Sequence, residues 1–543
     1  MQKSQQAIQS PLPWKRILAS TVLLFLSYEP LNFTALTFLS LIPWFSALRD
    51  SKNNRESIKI SFILGALFCL TSFFWVARVV HQFGNLSWPT SILLLGLYAL
   101  IAEPSFAICA PVFRKILILQ KSLGAHFSFT YVLFLSLTGA SLFAIVDWTL
   151  PKLFVDTFGH GYAPWLTVLQ LSEITGPMGL TWLWMFTALQ VYFVAQFESE
   201  NGFLLKRTLY HITPLISLWG VVLMFGNIRI SQIDRIYSQS NAPALRVIGI
   251  QANIEDAQKL LAEQDVRRTA DFVLDTYKTL TKQAVQNHPD TDLVVWPETA
   301  YPSAFLAPDT PREKARDQDL LAFISSLNIP IAFGGYGMNH ERLPTNTLIY
   351  AFPDGTVTTY AKSILLLFGE TLPFVDSLPW MRLWFPMIGF FGKGPGPTVS
   401  NLKHSRLLSM ICYEALFPWF SQEGLRSGAQ WILNVTNDSW FGSISAPDYH
   451  LSLVRLRSIE TRVPQLRITN TGYTALIEPT GIVSGKTSLF EQATPYYELK
   501  LLEDPKNTSL YSRCYPVYTL FLLIVAALGG YRVWRARLPS KTP

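Results

Sequence analysis

The sequence predicts a membrane helix bundle that carries one large α/β domain. Three observations lead there. Half of the 543 residues are hydrophobic and only 15% are charged, with a mean hydropathy of +0.25. Soluble domains carry about 25% charged residues, so part of this chain must use lipid as its solvent. Long apolar runs fill the first 230 residues and recur once near the C-terminus, whereas residues 244–502 alternate short β-rich runs with helical stretches. That alternation is the pattern of a layered α/β domain.

A crossing helix needs roughly 17–25 mostly apolar residues. Eight runs qualify, at about 13–28, 31–48, 58–80, 90–113, 124–147, 175–197, 208–227 and 515–531. Glu29-Pro30 separates the first two by a tight turn. A cleavable leader is the competing reading of the first run, but another apolar run follows it at once where polar sequence would be expected. The expected organisation is therefore a seven-helix membrane part over 1–230, a catalytic domain over 231–514, and a C-terminal helix with its tail over 515–543.

The net charge of +7 raises the question of nucleic acid, which basic domains often bind. The lysines and arginines sit instead in short runs beside apolar segments. With the N-terminus in the cytoplasm, the inside connections hold sixteen of them, among them Lys15, Arg16, Arg49, Arg114, Lys206 and Arg532, against Arg78 and Lys152 outside. The positive-inside rule then puts residues 230–514 on the outer face, and no nucleic-acid partner is expected.

Within the domain, strands are expected at Ala244–Ile250, Leu293–Trp296, Ile331–Phe333, Leu407–Ile411, Trp431–Val435, Gln465–Thr469 and Tyr496–Leu501, with helices at Asp256–Asn287 and Pro311–Leu327. The four cysteines, Cys69, Cys109, Cys412 and Cys514, show no CxxC spacing, so neither a disulfide framework nor a zinc site is indicated. Cys412 alone lies well inside the soluble-looking stretch. Three segments there carry chemistry: Trp296-Pro297-Glu298, Tyr360-Ala361-Lys362 with Phe368-Gly369-Glu370 closing the same stretch, and Ile411-Cys412-Tyr413-Glu414. Each has an ordinary reading: a core cysteine, a carboxylate at a helix start, a solvated lysine. A cysteine at a strand-to-helix turn also lies near helix N-terminal NH groups, an environment expected to favour a thiolate and to hold an oxyanion.

Taken together, Glu298, Lys362 and Cys412 in these flanks resemble the Glu-Lys-Cys signature of the nitrilase superfamily. A domain of that kind between a seventh and an eighth membrane helix resembles the apolipoprotein N-acyltransferase family. Further matches are Asn437-Asp438-Ser439-Trp440-Phe441-Gly442, His450 leading into Arg455, Arg457, Glu460 and Arg462, and Asn470-Thr471-Gly472. The resemblance implies an αββα sandwich and a bacterial inner-membrane enzyme with its domain in the periplasm. It implies acyl transfer from a phospholipid, phosphatidylethanolamine in the first instance, through a Cys412 thioester to the α-amino group of a diacylglyceryl-cysteine apolipoprotein, with no cofactor. In that scheme Glu298 shuttles protons, Lys362 and the Tyr413 NH hold the oxyanion, and Glu370 or Glu414 orients Lys362 or the shuttle. Tyr413 shapes the acyl pocket, and Trp440 is a supporting residue. Ile364 and Leu367 depart from the family's usual His and Pro, and Lys259-Leu260 from its usual Lys-Trp. These departures touch substrate contacts and leave the triad intact. The same triad also fits a membrane-anchored amidase; a lipid-binding or transport protein is the non-catalytic reading.

Other features stand apart from the triad. The aromatic stretch between Phe374 and Phe391 is expected to form a lid that dips into the outer leaflet. Glu103, an intramembrane carboxylate beside Pro104, marks either a functional group or a helix end. His450 and Arg455 are candidates for reaching the site or for a structural network, and His81 and His160 are assigned nothing.

Overall fold

The computed structural model of the chain describes residues 12–84, 86–122, 129–201, 205–254, 269–378, 380–384 and 389–536. The N-terminal part comprises α1 (Trp14–Ser27), α2 (Ile42–Arg49), α3 (Asn54–Ser72), α4 (Trp75–Phe83), α5 (Trp88–Ala102), α6 (Pro104–Ser122), α7 (Phe129–Thr149), α8 (Leu166–Leu169), α9 (Ser172–Asn201) and α10 (Leu205–Ser238), and a last helix covers Tyr511–Arg535.

Among the described residues, five helical stretches are long and apolar enough to cross a bilayer: Trp88–Gln120, Phe129–Thr149, Ser172–Ser199, Thr208–Ser238 and Pro505–Arg535. The pair Asn54–Ser72 and Trp75–Gln82, bent by 60°, makes a sixth. The run at 31–48 differs from expectation. It is a 3-10 turn over Thr34–Phe38 followed by the eight-residue α2. Asn32 in the left-handed region (φ 55°) and Pro43 in the first turn of α2 break it. α1 and α2 nevertheless fold back as a hairpin: Ser20 accepts from the Trp44 NH at 2.9 Å, and Arg16 pairs with Asp50 at 2.7 Å. The chain thus returns to the end from which it set out. Glu103 sits between α5 and α6 as the helix end its neighbour Pro104 suggested, buried and 3.9 Å from Lys152.

Large apolar side chains stay exposed on the outside, including Ile92, Leu93 and Ile101 on α5 and Leu520, Leu523 and Leu528 on the last helix. On a soluble protein such patches would be liabilities; against lipid they are the matching surface.

The α/β domain is two six-stranded sheets. The first runs in the order β12-β1-β2-β3-β4-β5 and the second β11-β10-β9-β8-β7-β6. The ranges are β1 Leu245–Gly249, β2 Leu293–Val295, β3 Ile331–Met338, β4 Pro344–Ala351, β5 Val357–Ala361, β6 Val399–Leu402, β7 Ser405–Ile411, β8 Trp431–Thr436, β9 Gln465–Thr469, β10 Ala475–Ile477, β11 Val483–Ser484 and β12 Tyr496–Leu499. Each sheet has three parallel central strands, β1-β2-β3 and β7-β8-β9, with antiparallel strands outside them. Helices Thr269–Asn287 and Pro311–Leu327 bury Val273, Tyr277 and Ile324 against Val294, Ile331 and Phe333. Helices Pro418–Arg426 and Ala446–Thr461 cover the second sheet with Phe420 and Val454. The sheets face each other, joined by a 2.7 Å bond between Tyr350 and Ser409, which gives the αββα sandwich.

The domain docks on one end of the bundle. Glu173 of α9 is fully buried and pairs with Arg462 of the domain at 2.7 Å and with Arg229 of α10 at 2.6 Å. A buried carboxylate with two guanidinium partners tolerates its desolvation; with either removed it would not. Ser452 donates to Glu29 at 2.6 Å, and Arg455 donates to the Ala163 carbonyl at 2.9 Å and to that of Gly481.

Candidate active site

β2 ends at Val295, and the buried Trp296 carries the chain out of the sheet, anchored by its indole NH on Thr281 at 2.9 Å. Glu298 follows, then Thr299 at φ 52°. The neighbouring strand must come very close here. A Cβ on Gly334 would lie 2.6 Å from the Glu298 Cα, so a side chain at that position would push the carboxylate out of place. Glu298 is almost fully buried; its Oε1 accepts from Asn346 Nδ2 at 2.7 Å and its Oε2 from the Asn437 NH at 2.8 Å.

Lys362 is the residue after β5, fixed by its own NH on the Asn346 carbonyl at 2.8 Å. Its Nζ lies 2.9 and 2.8 Å from the two oxygens of Glu370 and 3.5 Å from Glu298 Oε1. Asn346 bridges both acids, donating to Glu370 as well at 2.8 Å. Burial alone would lower the Lys362 pKa, but Glu370 and then Glu298 raise it well above the ordinary lysine range. The ammonium is a fixed positive charge.

Cys412 directly follows β7 of the opposite sheet. It stands in the left-handed region (φ 50°) as the first residue of a 3-10 turn, Cys412–Leu416. Such conformations cost energy and collect at functional sites. The expectation of a thiolate is not met. Burial first, and then the Glu298 charge, push the thiol well above its ordinary range, and Lys362 only partly offsets them. The physical reason is burial, followed by the Glu298 carboxylate brought in from the opposite sheet; a five-residue 3-10 turn stands where a helix was expected. Both influences favour the thiol form of Cys412.

Beneath it lies a buried polar network. Asp438 pairs with Arg467 at 2.6 Å and with His450 at 3.1 Å, and Arg467 also donates to Asn434 at 2.8 Å, which in turn donates to the Cys412 carbonyl at 3.4 Å. Burial opposes ionisation of Asp438, but Arg467 and His450 hold its pKa far below the carboxylate range. Gly472 permits this packing, since a Cβ there would meet Asp438 Oδ2 at 2.5 Å.

Of the other expected site residues, Glu370 meets Lys362 directly. Glu414 does not. It accepts from Tyr360 at 2.7 Å and from the NH groups of Ser363 at 2.6 Å, Ile364 at 3.2 Å and Ile411 at 2.8 Å. It is fully buried, with its pKa pushed up to about 7 by burial, and it stitches the lysine loop to the cysteine turn. Tyr413 donates to the Leu153 carbonyl of the bundle. The side chain of Trp440, Lys259-Leu260, and Phe385, Met387 and Ile388 of the expected lid lie outside the described residues. Of the same stretch, Phe374 (77%), Trp380 (52%) and Leu383 (83%) are exposed.

Two groups were missed in the sequence. Asn346 had a legible signal, a polar Thr-Asn-Thr inside an otherwise apolar strand. The Asn437 NH had none, because a backbone donor leaves no mark in sequence.

Cys412 opens on a narrow cleft whose walls come from both parts of the chain, Trp75 and Phe154 from the bundle and Leu366, Tyr413, Phe441 and Leu453 from the domain. A buried Glu-Lys-Cys constellation between two sheets, opening on a membrane bundle, defines a membrane-embedded enzyme of carbon–nitrogen hydrolase type. Residues 250–503 match the carbon–nitrogen hydrolase family, and residues 20–190 match the apolipoprotein N-acyltransferase N-terminal domain. Proteins described as apolipoprotein N-acyltransferase align along nearly all of the chain. That of Bdellovibrio bacteriovorus is 27% identical over 95% of this chain and 93% of its own. That of Geobacter metallireducens is 27% identical over 95% and 94%, and that of Pseudomonas syringae 28% over 97% and 97%. A nitrilase-superfamily protein of Saccharomyces cerevisiae is 18% identical, covering 49% of this chain and 93% of its own with a TM-score of 0.37. The chain belongs to the apolipoprotein N-acyltransferase family, and it is a membrane-bound N-acyltransferase.

Proposed function

We propose that Cys412 carries the acyl group between a phospholipid donor, phosphatidylethanolamine in the first instance, and the α-amino group of a diacylglyceryl-cysteine apolipoprotein. Glu298 takes the thiol proton as Cys412 attacks the donor ester, and returns it to the departing lysophospholipid alkoxide. The thioester remains. The acceptor amine then attacks it, Glu298 takes a proton from the amine, and the amide forms as the Cys412 thiol is restored. Lys362 and the Tyr413 NH stabilise the tetrahedral oxyanion in both halves. Glu370 positions Lys362.

One observation carries this reading: Cys412, opposite the Glu298–Lys362 pair, lines a cleft walled in part by the membrane bundle. A thioester survives for transfer only where water is kept out, and aromatic and apolar walls favour that. The exposed Phe374, Trp380 and Leu383 support a lid at the headgroup level. We assign the bundle to 1–230, the catalytic domain to 231–514 and the final helix to 515–543, in a bacterial inner membrane with the domain facing the periplasm. Arg16, Arg49, Arg114 and Lys115 gather at the bundle end where Asp50, Ser51, Lys52 and the Trp534 carbonyl meet, and the domain docks through other loops, which supports that orientation.

Full-length protein in detergent, given acyl-labelled phosphatidylethanolamine and a diacylglyceryl-cysteinyl peptide, is expected to deliver label to the peptide in a hydroxylamine-resistant amide. Release of the label only as free fatty acid would replace transfer by hydrolysis.

A further inference from the structure

α4, bent by 60° from α3, brings a cation to the rim of the catalytic cleft. Trp75, in its first turn, lines that cleft and meets Phe441 of the domain edge to face, with ring centroids 5.4 Å apart. Arg78 stands one turn later on the same helix face and is exposed. Its guanidinium rests on Gly442, the residue after Phe441. A Cβ on Gly442 would lie 2.8 Å from the Arg78 Cζ and 2.9 Å from both Nε and Nη1. With Cζ the nearest atom, the glycine lies over the guanidinium plane and not at its edge. Gly442 also stands at φ 72°, where a side chain would be strained. The edge of the guanidinium is left for other partners. Nε donates to Gln82 Oε1 at 3.3 Å, and among the described residues the two Nη groups have no hydrogen-bond partner and the charge no counter-ion. Other cations near the junction are committed: Lys152 to Asp147 at 2.7 Å, Arg462 and Arg229 to Glu173, and Arg455 to two backbone carbonyls.

The planar fork of an arginine matches two oxygens of a phosphodiester, and an arginine at a membrane surface places its head among the lipid headgroups. We infer that Arg78 binds the phosphodiester of the acyl donor at the cleft mouth, through its free Nη edge. The place fits the chemistry. In a phospholipid the glycerol backbone alone separates the phosphate from the ester. A phosphate held beside Gly442, one residue beyond the cleft-lining Phe441, therefore leaves the ester and its chain on the side of Cys412. The acceptor, a diacylglyceryl-cysteine, carries no phosphate, so the contact belongs to the donor half of the cycle. The assignment rests on the proposed phospholipid donor, and it makes Arg78 the residue that tells the two lipid substrates apart.

Lipid retention tests this without turnover. Full-length Cys412→Ala protein is equilibrated with mixed micelles of phosphatidylethanolamine and diacylglycerol bearing the same acyl chains, and the retained lipid is identified by native mass spectrometry. The phospholipid is expected to be retained about tenfold over the diacylglycerol, the scale of one charge-assisted contact. Adding Arg78→Gln should bring the ratio close to one. Arg78→Lys, which keeps the charge and loses the fork, should fall between. With Cys412 intact, Arg78→Gln should lower kcat/KM for the phospholipid about tenfold and leave kcat/KM for the diacylglyceryl peptide unchanged. An equal fall for both substrates would mark a structural role and overturn the assignment. Loss of the ratio on adding inorganic phosphate equimolar with the lipid would also overturn it, because the ligand would then be free phosphate. The two readings fail differently: a preference that Arg78→Gln preserves defeats this site alone, whereas no preference with Arg78 in place defeats the phospholipid donor and the site with it.

Discussion

The two halves of the site are built on opposite principles. Glu298, Asn346, Lys362 and Glu370 come from the first sheet and its loops, and each charge there is matched by a partner at 2.7 to 3.5 Å. Cys412 comes from the second sheet, stands in a strained backbone position, and faces an apolar cleft as a neutral thiol. The charged half is rigid and ready before substrate arrives. The nucleophile half is held inert until a proton acceptor works on it. For the proposed thioester mechanism beside a membrane this division is useful, because an idle thiol reacts little with adventitious electrophiles.

The largest test of that contrast is to remove its charges singly. Lys362→Met and Glu298→Gln should each lower kcat by about 10²–10³-fold, yet they should move the thiol in opposite directions. Glu298 raises the thiol pKa and Lys362 lowers it. Alkylation of wild-type Cys412 by iodoacetamide should therefore keep rising through alkaline pH, with no plateau near neutrality. The profile should shift to higher pH in Lys362→Met and to lower pH in Glu298→Gln. Shifts of the same sign would remove the electrostatic basis of the contrast.

A smaller effect is expected where Asn346 bridges the two acids. Asn346→Leu leaves Glu298 and Glu370 each short of a donor, which should lower kcat by roughly 10–100-fold, comparable to loss of an outer partner in other preorganised sites. The KM for donor should move little.

The smallest effect concerns the seam between the halves. The Glu414 carboxyl, pushed up to about 7 by burial, holds a proton in the folded state over a range where the unfolded chain, near 4.5, has lost it. Folded protein then binds more protons than unfolded, so this group's contribution falls as pH rises from about 4.5 to 7. Glu414→Gln should flatten that part of the thermal-stability profile. Tyr360→Phe, which deletes one bond to Glu414, should cost about 1 kcal/mol with turnover largely kept.

Much of this was legible in the sequence, for identifiable reasons. Helix Pro311–Leu327 and strand Gln465–Thr469 have the expected limits; a Thr310–Glu313 capping box starts the first, and the alternating Gln-Leu-Arg-Ile-Thr marks the second. The antiparallel strands β4, β5 and β6 were not read, because their faces mix polar and apolar residues without clean alternation. The Asp354-Gly355 turn between β4 and β5 was their visible clue, with Gly355 at φ 83°. Glu298, Lys362 and Cys412 were legible because each follows a strand next to a distinctive flank, and Glu370 because Phe368-Gly369-Glu370 closes the lysine stretch. The protonation state of Cys412 was not. It depends on charges brought in from another sheet, and no local spacing encodes that.

The most direct measurement is the intact mass of the full-length enzyme after brief incubation with phosphatidylethanolamine and no acceptor. The expected result is an increase of one acyl chain on Cys412, removed by neutral hydroxylamine, lost on adding the diacylglyceryl peptide, and missing in Cys412→Ala. An acyl adduct that persists in Cys412→Ala, or acyl transfer to the peptide by that variant, would contradict the assignment of Cys412 as the acyl carrier.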